Sequence, residues 1–308
     1  MLCELVVMLV NQERLDEFMT ALIEEAQLSR LNEANITQAH SFLRRAQMDL
    51  VNSKDASRRS DWSEAVYKLQ QAGEKGTKAY LLYTGFANHD ELRKEVGHLS
   101  LRGFKLLLER SECVRRKTRL DELVKAIFPN AKTDTTKFFE LAGKRPTQMM
   151  DIVNLDYSAI RKIMHDTDRE LRHFDNLCRK VRGLVDDEFI GQFMVPIKRI
   201  RRFENAKAPT VDEVVGHMDT LLGRGYAHLG LLYIVSSISS PHEDFTRYPD
   251  DRGNGLSWDD YTKDLGIVRA TPELRVRLEE ALAFMDELWE MTQWYENKMD
   301  QNSETSVI

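Results

Sequence analysis

The segment from Arg93 to His98 (RKEVGH) places a guanidinium and an imidazole five positions apart in the chain. Histidine titrates near neutral pH, so its neutral ring can take the proton from a ribose 2′-hydroxyl. The planar guanidinium of an arginine can hold a phosphate group while negative charge builds up on it. This pair could therefore cleave RNA without a metal ion, with His98 as general base or acid and Arg93 stabilising the transition state.

The spacing of the pair limits how one chain can use it. Five positions on a regular α-helix correspond to about 500° of rotation, so the two side chains would diverge by about 140°. Arg93 and His98 therefore approach each other within one chain only if the backbone bends near Gly97. Lys94 adds a further positive charge beside Arg93, and we assign it to substrate binding.

The preceding helix carries charged residues that either bind phosphate or pair with one another. Glu74, Lys75 and Lys78 could line a phosphate-binding face of this helix. Alternatively they form ordinary ion pairs, because Glu74 and Lys78 stand at positions i and i+4 in the favourable order. We assign all three to substrate binding and leave the ion-pair alternative open.

The same helix has recognisable ends and small residues in its middle. Asp61 followed by Glu64 predicts a capping box at its start, and Gly85 is a good residue for its C-terminal end. Gly73 and Gly76 lie inside the helix, where glycine costs up to about 1 kcal/mol relative to alanine. Their presence predicts the close approach of another helix.

The stretch from Ser239 to Asp264 differs in composition from the rest of the chain. It is rich in proline, glycine, charged and aromatic residues, and we expect one long ordered loop. His242 and Arg247 in this stretch could extend a nucleic-acid or nucleotide pocket beside the helical core. Alternatively, the stretch is a structural cap whose aromatic side chains fill the core.

Metal-binding patterns are weak. His165 and Asp168 share a helix face, but His173 lies two turns further on, and no Glu-x-x-His pair of the di-iron type is present. No glycine-rich phosphate loop, nucleophile elbow or HExxH motif occurs either. We therefore predict neither a metal nor a cofactor.

Composition indicates a helical protein of a reducing compartment. The 308 residues include only 7 prolines and 15 glycines, which favours long helices over many short strands. The 3 cysteines are too few and too widely spaced for a disulfide framework. The apolar start, MLCELVVMLV, lacks the basic flank of a signal peptide and is too short to span a membrane. We expect a cytoplasmic protein without membrane contact.

Apolar residues recur at helical spacing along most of the chain. The pattern predicts a helix over 5–33, one around 42–50, and one from Asp61 to Gly85. It also predicts a continuous helix that begins after Asp90 and runs through at least Leu108. Further helices follow, of which the last covers 272–297. The expected fold is all-α, and the expected division is an N-terminal unit at 1–126 and a helical region at 127–308 packed on it.

The run AVYKLQQAGEKGTKAYL, from Ala65 to Leu81, resembles the second core helix of the HEPN family. The resemblance implies a four-helix bundle at about 36–126, with additional C-terminal helices. It also implies that Arg93 and His98 are catalytic, and that two chains dimerise and pool their Arg–His pairs in one cleft. An endoribonuclease acting in defence or stress response is the function that this resemblance implies.

A second function remains open from the sequence. The bundle could be a non-catalytic dimerisation module that holds RNA, a nucleotide or a protein. Lys94 favours this alternative, because a small polar residue often follows the arginine in the family. The net charge of −6 also favours it, since any nucleic-acid site must then be a local basic patch. The QQAGEK run and the intact Arg–His spacing favour the enzyme. A helical scaffold without a ligand is a third alternative.

Overall fold

A computed structural model of the protein describes residues 33–98, 100–118, 149–182, 210–212, 216, 224–247 and 256–304. Within these ranges the chain is helical and forms no β-strand, so the predicted all-α fold is confirmed. None of the helices described there is long and apolar enough to cross a membrane. The helix predicted over 5–33 lies outside the described residues.

The helices are α1 (Glu33–Arg58), α2 (Trp62–Tyr83), α3 (His89–Glu91), α4 (Ser100–Thr118), α5 (Met150–Val153), α6 (Tyr157–Arg182), α7 (Gly225–Ser239), α8 (Glu243–Arg247) and α9 (Gly266–Glu304). A π-helical turn (Leu92–Val96) continues α3. Single turns of 3-10 helix lie at Ser240–His242 and Trp258–Asp260.

Asp61 and Gly85 lie at the two ends of α2 as the sequence predicts, but Asp61 and Glu64 form only one of the two hydrogen bonds of a capping box. The carboxylate of Asp61 accepts a hydrogen bond from the backbone N–H of Glu64 at 3.3 Å, which caps the first turn. At the other end, Gly85 follows the C-cap residue Thr84 with a φ of +70°. A side chain is disfavoured in this left-handed conformation, which explains the glycine.

The small residues inside α2 admit two helices of the C-terminal region. A Cβ atom on Gly73 would lie 3.1 Å from Oγ of Ser236 on α7. A Cβ atom on Gly76 would lie 2.9 Å from Leu282 of α9 and 3.1 Å from Leu232 of α7. The close approach predicted from the two glycines is therefore confirmed.

One hydrophobic cluster includes residues of both predicted regions. Leu69 of α2, Leu232 of α7 and Leu278 of α9 are completely buried in it. Burying a leucine side chain contributes roughly 1.5–3 kcal/mol, so this shared cluster is the main attraction between α2 and the C-terminal helices. The cluster therefore holds α2 in a fixed position between α1, α7 and α9.

The prediction of one continuous helix from after Asp90 through Leu108 is wrong. The structure divides it into α3, the π-helical turn and α4, with a bend at Gly97 and His98. Gly97 has φ +58° and ψ −124°, a conformation that L-residues rarely adopt and that cannot continue a helix. Apolar periodicity runs through the bend because Leu92 and Val96 before it, and Leu101 after it, all face the core.

The long loop expected from Ser239 to Asp264 is partly helical. Its first part forms the 3-10 turn at Ser240–His242 and then α8. Pro241 fits the first turn of a helix, where its missing N–H leaves no hydrogen bond unmade. Phe245 of α8 is buried in the main cluster, which holds this segment against α2. Residues 248–255 of the expected loop lie outside the described residues.

Candidate active site around Glu74 and His98

Helix α2 turns a row of polar side chains toward the interior. Gln70, Glu74 and Lys78 recur every four residues, so they lie on one face of the helix, and all three are buried. Glu74 is only 3% exposed, and its Oε1 lies 2.6 Å from Nζ of Lys78. The ion-pair interpretation of Glu74 and Lys78 is therefore correct, but the pair is buried rather than solvated.

His98 contacts the same oxygen of Glu74 that Lys78 contacts. Its Nδ1 atom lies 3.3 Å from Oε1 of Glu74, while 74% of its side chain is exposed. The pair is an electrostatic contact, and because a carboxylate only accepts protons, it favours the ring tautomer with the proton on Nδ1. The lone pair is then on Nε2. Glu74 thereby orients an accessible imidazole whose other nitrogen can act as a base.

Three features fix the segment that carries His98: a local cap, an ion pair to α4, and the packing of α4 on α2. Asn88 and Glu91 form a capping box at the start of α3. Nη2 of Arg110 on α4 lies 2.6 Å from Oε1 of Glu91, which ties the start of this segment to α4. A Cβ atom on Gly103 of α4 would lie 2.8 Å from Cγ2 of Thr77, so the glycine lets α4 pack closely on α2 beside Glu74.

The contact between Glu91 and Arg110 is electrostatic. Burial acts to raise its pKa, but hydrogen bonds from Arg110 and the Asn88 backbone, together with the charge of Arg110, lower it overall. The ionised form of Glu91 is therefore favoured at neutral pH, where it can pair with Arg110.

Arg93 and Lys94 are exposed on the π-helical turn that precedes Gly97. Lys94 lines a surface cavity together with residues of α1 and α3, among them Asn35 and His89. Because a π-helical turn and a bend replace the regular helix, the 140° divergence expected for five helical positions does not apply. Such π-helical turns occur frequently at functional sites.

Lys75 lies apart from this group. Its ammonium pairs with the carboxylate of Asp49 on α1, and Lys68 lies 3.6 Å from the other oxygen of the same carboxylate. Lys75 therefore connects α1 to α2, while Glu74 faces His98.

His242 is in the interior. It is 1% exposed, and its Nδ1 lies 2.8 Å from the hydroxyl of Tyr261. Burial lowers the pKa of His242 to about 3 and raises the pKa of Tyr261. His242 is thus an uncharged residue that joins the 3-10 turn before α8 to the segment before α9. Arg247 is the last residue of α8, and its side chain lies outside the described residues.

Glu243, which follows His242, reaches the site although sequence reasoning did not assign it there. It is 4% exposed, and Nε2 of Gln70 lies 3.4 Å from its Oε2 and 3.5 Å from Oε2 of Glu74. Donor atoms of Glu74, His98 and Glu243 all lie within 4.8 Å of one another. Among the described residues this is the group that could hold a metal ion. Asp168, which shares a helix face with His165, instead accepts two hydrogen bonds from Arg277.

The conformation of Gly97 leads to a stability prediction. Gly97→Ala is expected to lower the free energy of unfolding by about 1–3 kcal/mol, because a Cβ atom would be strained at φ +58°. Gly216→Ala is the matched control, since open space surrounds both glycines but Gly216 has no positive φ. Urea unfolding measures both. Equal stability of the two variants would contradict a backbone requirement at Gly97.

Burial of His242 leads to a prediction for acid stability. The folded protein binds this proton only near pH 3, whereas the unfolded chain binds it near pH 6.5. Between these two pH values the unfolded chain binds more protons than the folded protein does. His242 therefore lowers the free energy of unfolding as the pH falls through this range. Urea unfolding at pH 7 and pH 5 should show a smaller loss for His242→Gln than for the wild type. An identical loss in both proteins would show that His242 is not responsible.

Comparison with known proteins identifies part of the chain. The family model of the HEPN domain matches residues 39–127, which include α1 from its second turn, α2, α3 and α4. No curated protein and no solved structure matches the chain. The match contains the run AVYKLQQAGEKGTKAYL and both members of the Arg93–His98 pair, but not Glu243. Residues 39–127 therefore match the HEPN domain family, in agreement with the resemblance of the run from Ala65 to Leu81.

Proposed function

We propose that the protein is a metal-independent endoribonuclease in which His98 is the general base and Arg93 binds the reacting phosphate. The contact between His98 and Glu74 carries this proposal. An exposed imidazole held at one nitrogen by a buried carboxylate has its other nitrogen available for proton transfer. The HEPN match supports an RNA-related role for the same residues.

The proposed reaction couples a proton transfer to His98 with an attack on phosphorus. Nε2 of His98 takes the proton of a ribose 2′-hydroxyl, and the 2′-oxygen attacks the adjacent phosphorus. The bond to the 5′-oxygen of the next nucleotide breaks, which leaves a 2′,3′-cyclic phosphate and a 5′-hydroxyl end. The positive charge that forms on His98 is stabilised by Glu74. The ammonium of Lys78 lies 2.6 Å from Oε1 of Glu74 and holds this carboxylate in place.

The cations of the π-helical turn bind the substrate in this proposal. Arg93 contacts the non-bridging oxygens of the reacting phosphate, where negative charge increases during the attack. Lys94 contacts a neighbouring phosphate. Both side chains are exposed beside His98 in the chain, which supports this assignment. In a homodimer, His98 of a second chain can donate the proton that the departing 5′-oxygen needs.

Cleavage of a mixed pool of end-labelled RNA in EDTA tests the function. We expect the wild type to produce fragments with 2′,3′-cyclic phosphate ends, and light scattering should show a dimer. Cleavage that disappears in EDTA would contradict a metal-independent reaction. RNA binding without cleavage, weakening steeply with salt, would instead support the non-catalytic module.

A further inference from the structure

Glu74, His98 and Glu243 come from three separate elements and meet at one point. Glu74 belongs to α2, His98 to the bend after the π-helical turn, and Glu243 to α8. We propose that these three side chains form a binding site for a divalent transition-metal ion, of which Mn²⁺ and Zn²⁺ are the representative members. The site connects the HEPN domain to the C-terminal region, because Glu243 lies beyond residue 127.

The spacing of the donor atoms suits one cation. Oxygen and nitrogen ligands lie at about 2.0–2.2 Å from such an ion, so neighbouring donors in a tetrahedral site are roughly 3.4 Å apart. One donor atom from each of the three residues already lies within 4.8 Å of the other two. Nδ1 of His98 and Oε1 of Glu74 are 3.3 Å apart, so an ion between them would replace the proton on Nδ1. The donor atoms would need to approach each other by at most about 1.4 Å to reach coordinating distances.

The chemistry of the donors selects the class of ion. One imidazole nitrogen with two carboxylate oxygens is a donor set for Mn²⁺, Fe²⁺ or Zn²⁺, whereas Mg²⁺ and Ca²⁺ prefer oxygen ligands alone. Three protein ligands leave coordination positions open for water. The exposed side of His98 gives an ion access to the site, and the buried carboxylates hold their positions within the core.

The charges around the site also favour a cation. Glu74 and Glu243 bring two carboxylates into a buried space, and the ammonium of Lys78 lies 2.6 Å from Glu74. With a neutral His98, these four groups carry a formal charge of −1. The Gln70 amide contacts both carboxylates at 3.5 and 3.4 Å, which is longer than usual for a hydrogen bond. A divalent ion would interact with the same two carboxylates far more strongly.

Occupancy of this site would regulate the proposed nuclease. A metal ion on Nδ1 of His98 takes the place of the ring proton there, so the ring proton moves to Nε2. Nε2 then has no lone pair to accept the 2′-proton. The ion would therefore inhibit cleavage, and this consequence, unlike binding itself, rests on the proposed function. Inhibition by an added transition metal is compatible with a reaction that needs no metal.

Binding is tested with Mn²⁺ on the full chain after removal of metals by a chelator. Mn²⁺ is the probe because its preference for carboxylate and imidazole over thiolate avoids the three cysteines. Electron paramagnetic resonance measures the free ion, whose six-line signal decreases on binding. We expect one Mn²⁺ per chain in the wild type, and at least tenfold weaker binding in His98→Ala and in Glu243→Gln.

Two variants serve as matched controls. Glu95→Gln removes an exposed carboxylate near His98, and His165→Ala removes an exposed imidazole elsewhere; both should bind Mn²⁺ as the wild type does. Circular dichroism checks that Glu243→Gln folds. If it does not fold, His98→Ala still tests the site, because His98 is exposed. Absence of binding by the wild type, or wild-type binding by His98→Ala, would overturn the proposed site.

RNA cleavage with and without Mn²⁺ separates this proposal from the proposed function. Mn²⁺ binding that requires His98, in a protein that cleaves no RNA, would support the metal site while the nuclease fails. Cleavage in EDTA by a protein that binds no Mn²⁺ would support the nuclease and overturn the metal site.

Discussion

His98→Ala is expected to lower the rate of RNA cleavage in EDTA by a factor of about 10²–10⁴, the range typical for loss of a general base. The substitution removes the only group that the proposed mechanism uses to take the 2′-proton. It should leave folding intact because 74% of the side chain is exposed. Single-turnover cleavage of a defined RNA measures the chemical step, and urea unfolding confirms that the two proteins are equally stable.

His165→Ala is the control for the loss of an imidazole, since His165 is similarly exposed and lies on α6. Its cleavage rate should equal that of the wild type. Arg93→Ala should lower the rate as well, and Arg93→Lys should restore part of it, because lysine keeps the charge but not the planar fork. A folded His98→Ala protein that cleaves at the wild-type rate would contradict the assignment of His98.

Lys78→Met is expected to lower the free energy of unfolding by about 3–5 kcal/mol, the cost of leaving one member of a buried ion pair alone. Glu74 would lose the ammonium that lies 2.6 Å from its Oε1 while remaining in the interior. His98 would then be its nearest cationic partner, and only when protonated. Urea unfolding at pH 7 measures the loss.

A double-mutant cycle with Glu74→Gln separates the ion pair from other effects. Glu74→Gln combined with Lys78→Met removes both charges and should be more stable than the sum of the two single changes predicts. Lys105 and Glu109 on α4 form an i,i+4 pair of the same two residue types in the opposite order, with 3.6 Å between charged atoms and about half of each side chain exposed. Lys105→Met should therefore cost less than about 0.5 kcal/mol. Equal losses in Lys78→Met and Lys105→Met would contradict a buried pair.

Several features of the protein follow from local sequence alone. Apolar periodicity and the scarcity of proline and glycine predict the all-α class, because helix formation depends on side chains three and four positions apart. Asp61 and Gly85 predict the ends of α2 for the same reason, since each cap involves neighbours along the chain. Gly73 and Gly76 predict that another helix packs there, but not which helix.

The role of each polar side chain was decided by the tertiary structure. Glu74 and Lys78 have the spacing of a solvated pair, and only the packing of other segments around α2 buries them. The bend at Gly97 places His98 on Glu74, although local periodicity continues through it. Glu243 reaches the same point from more than 140 residues away along the chain. The local sequence therefore determined the helices and the Arg93–His98 spacing. Contacts between distant segments determined the site, because they depend on how the helices share one core.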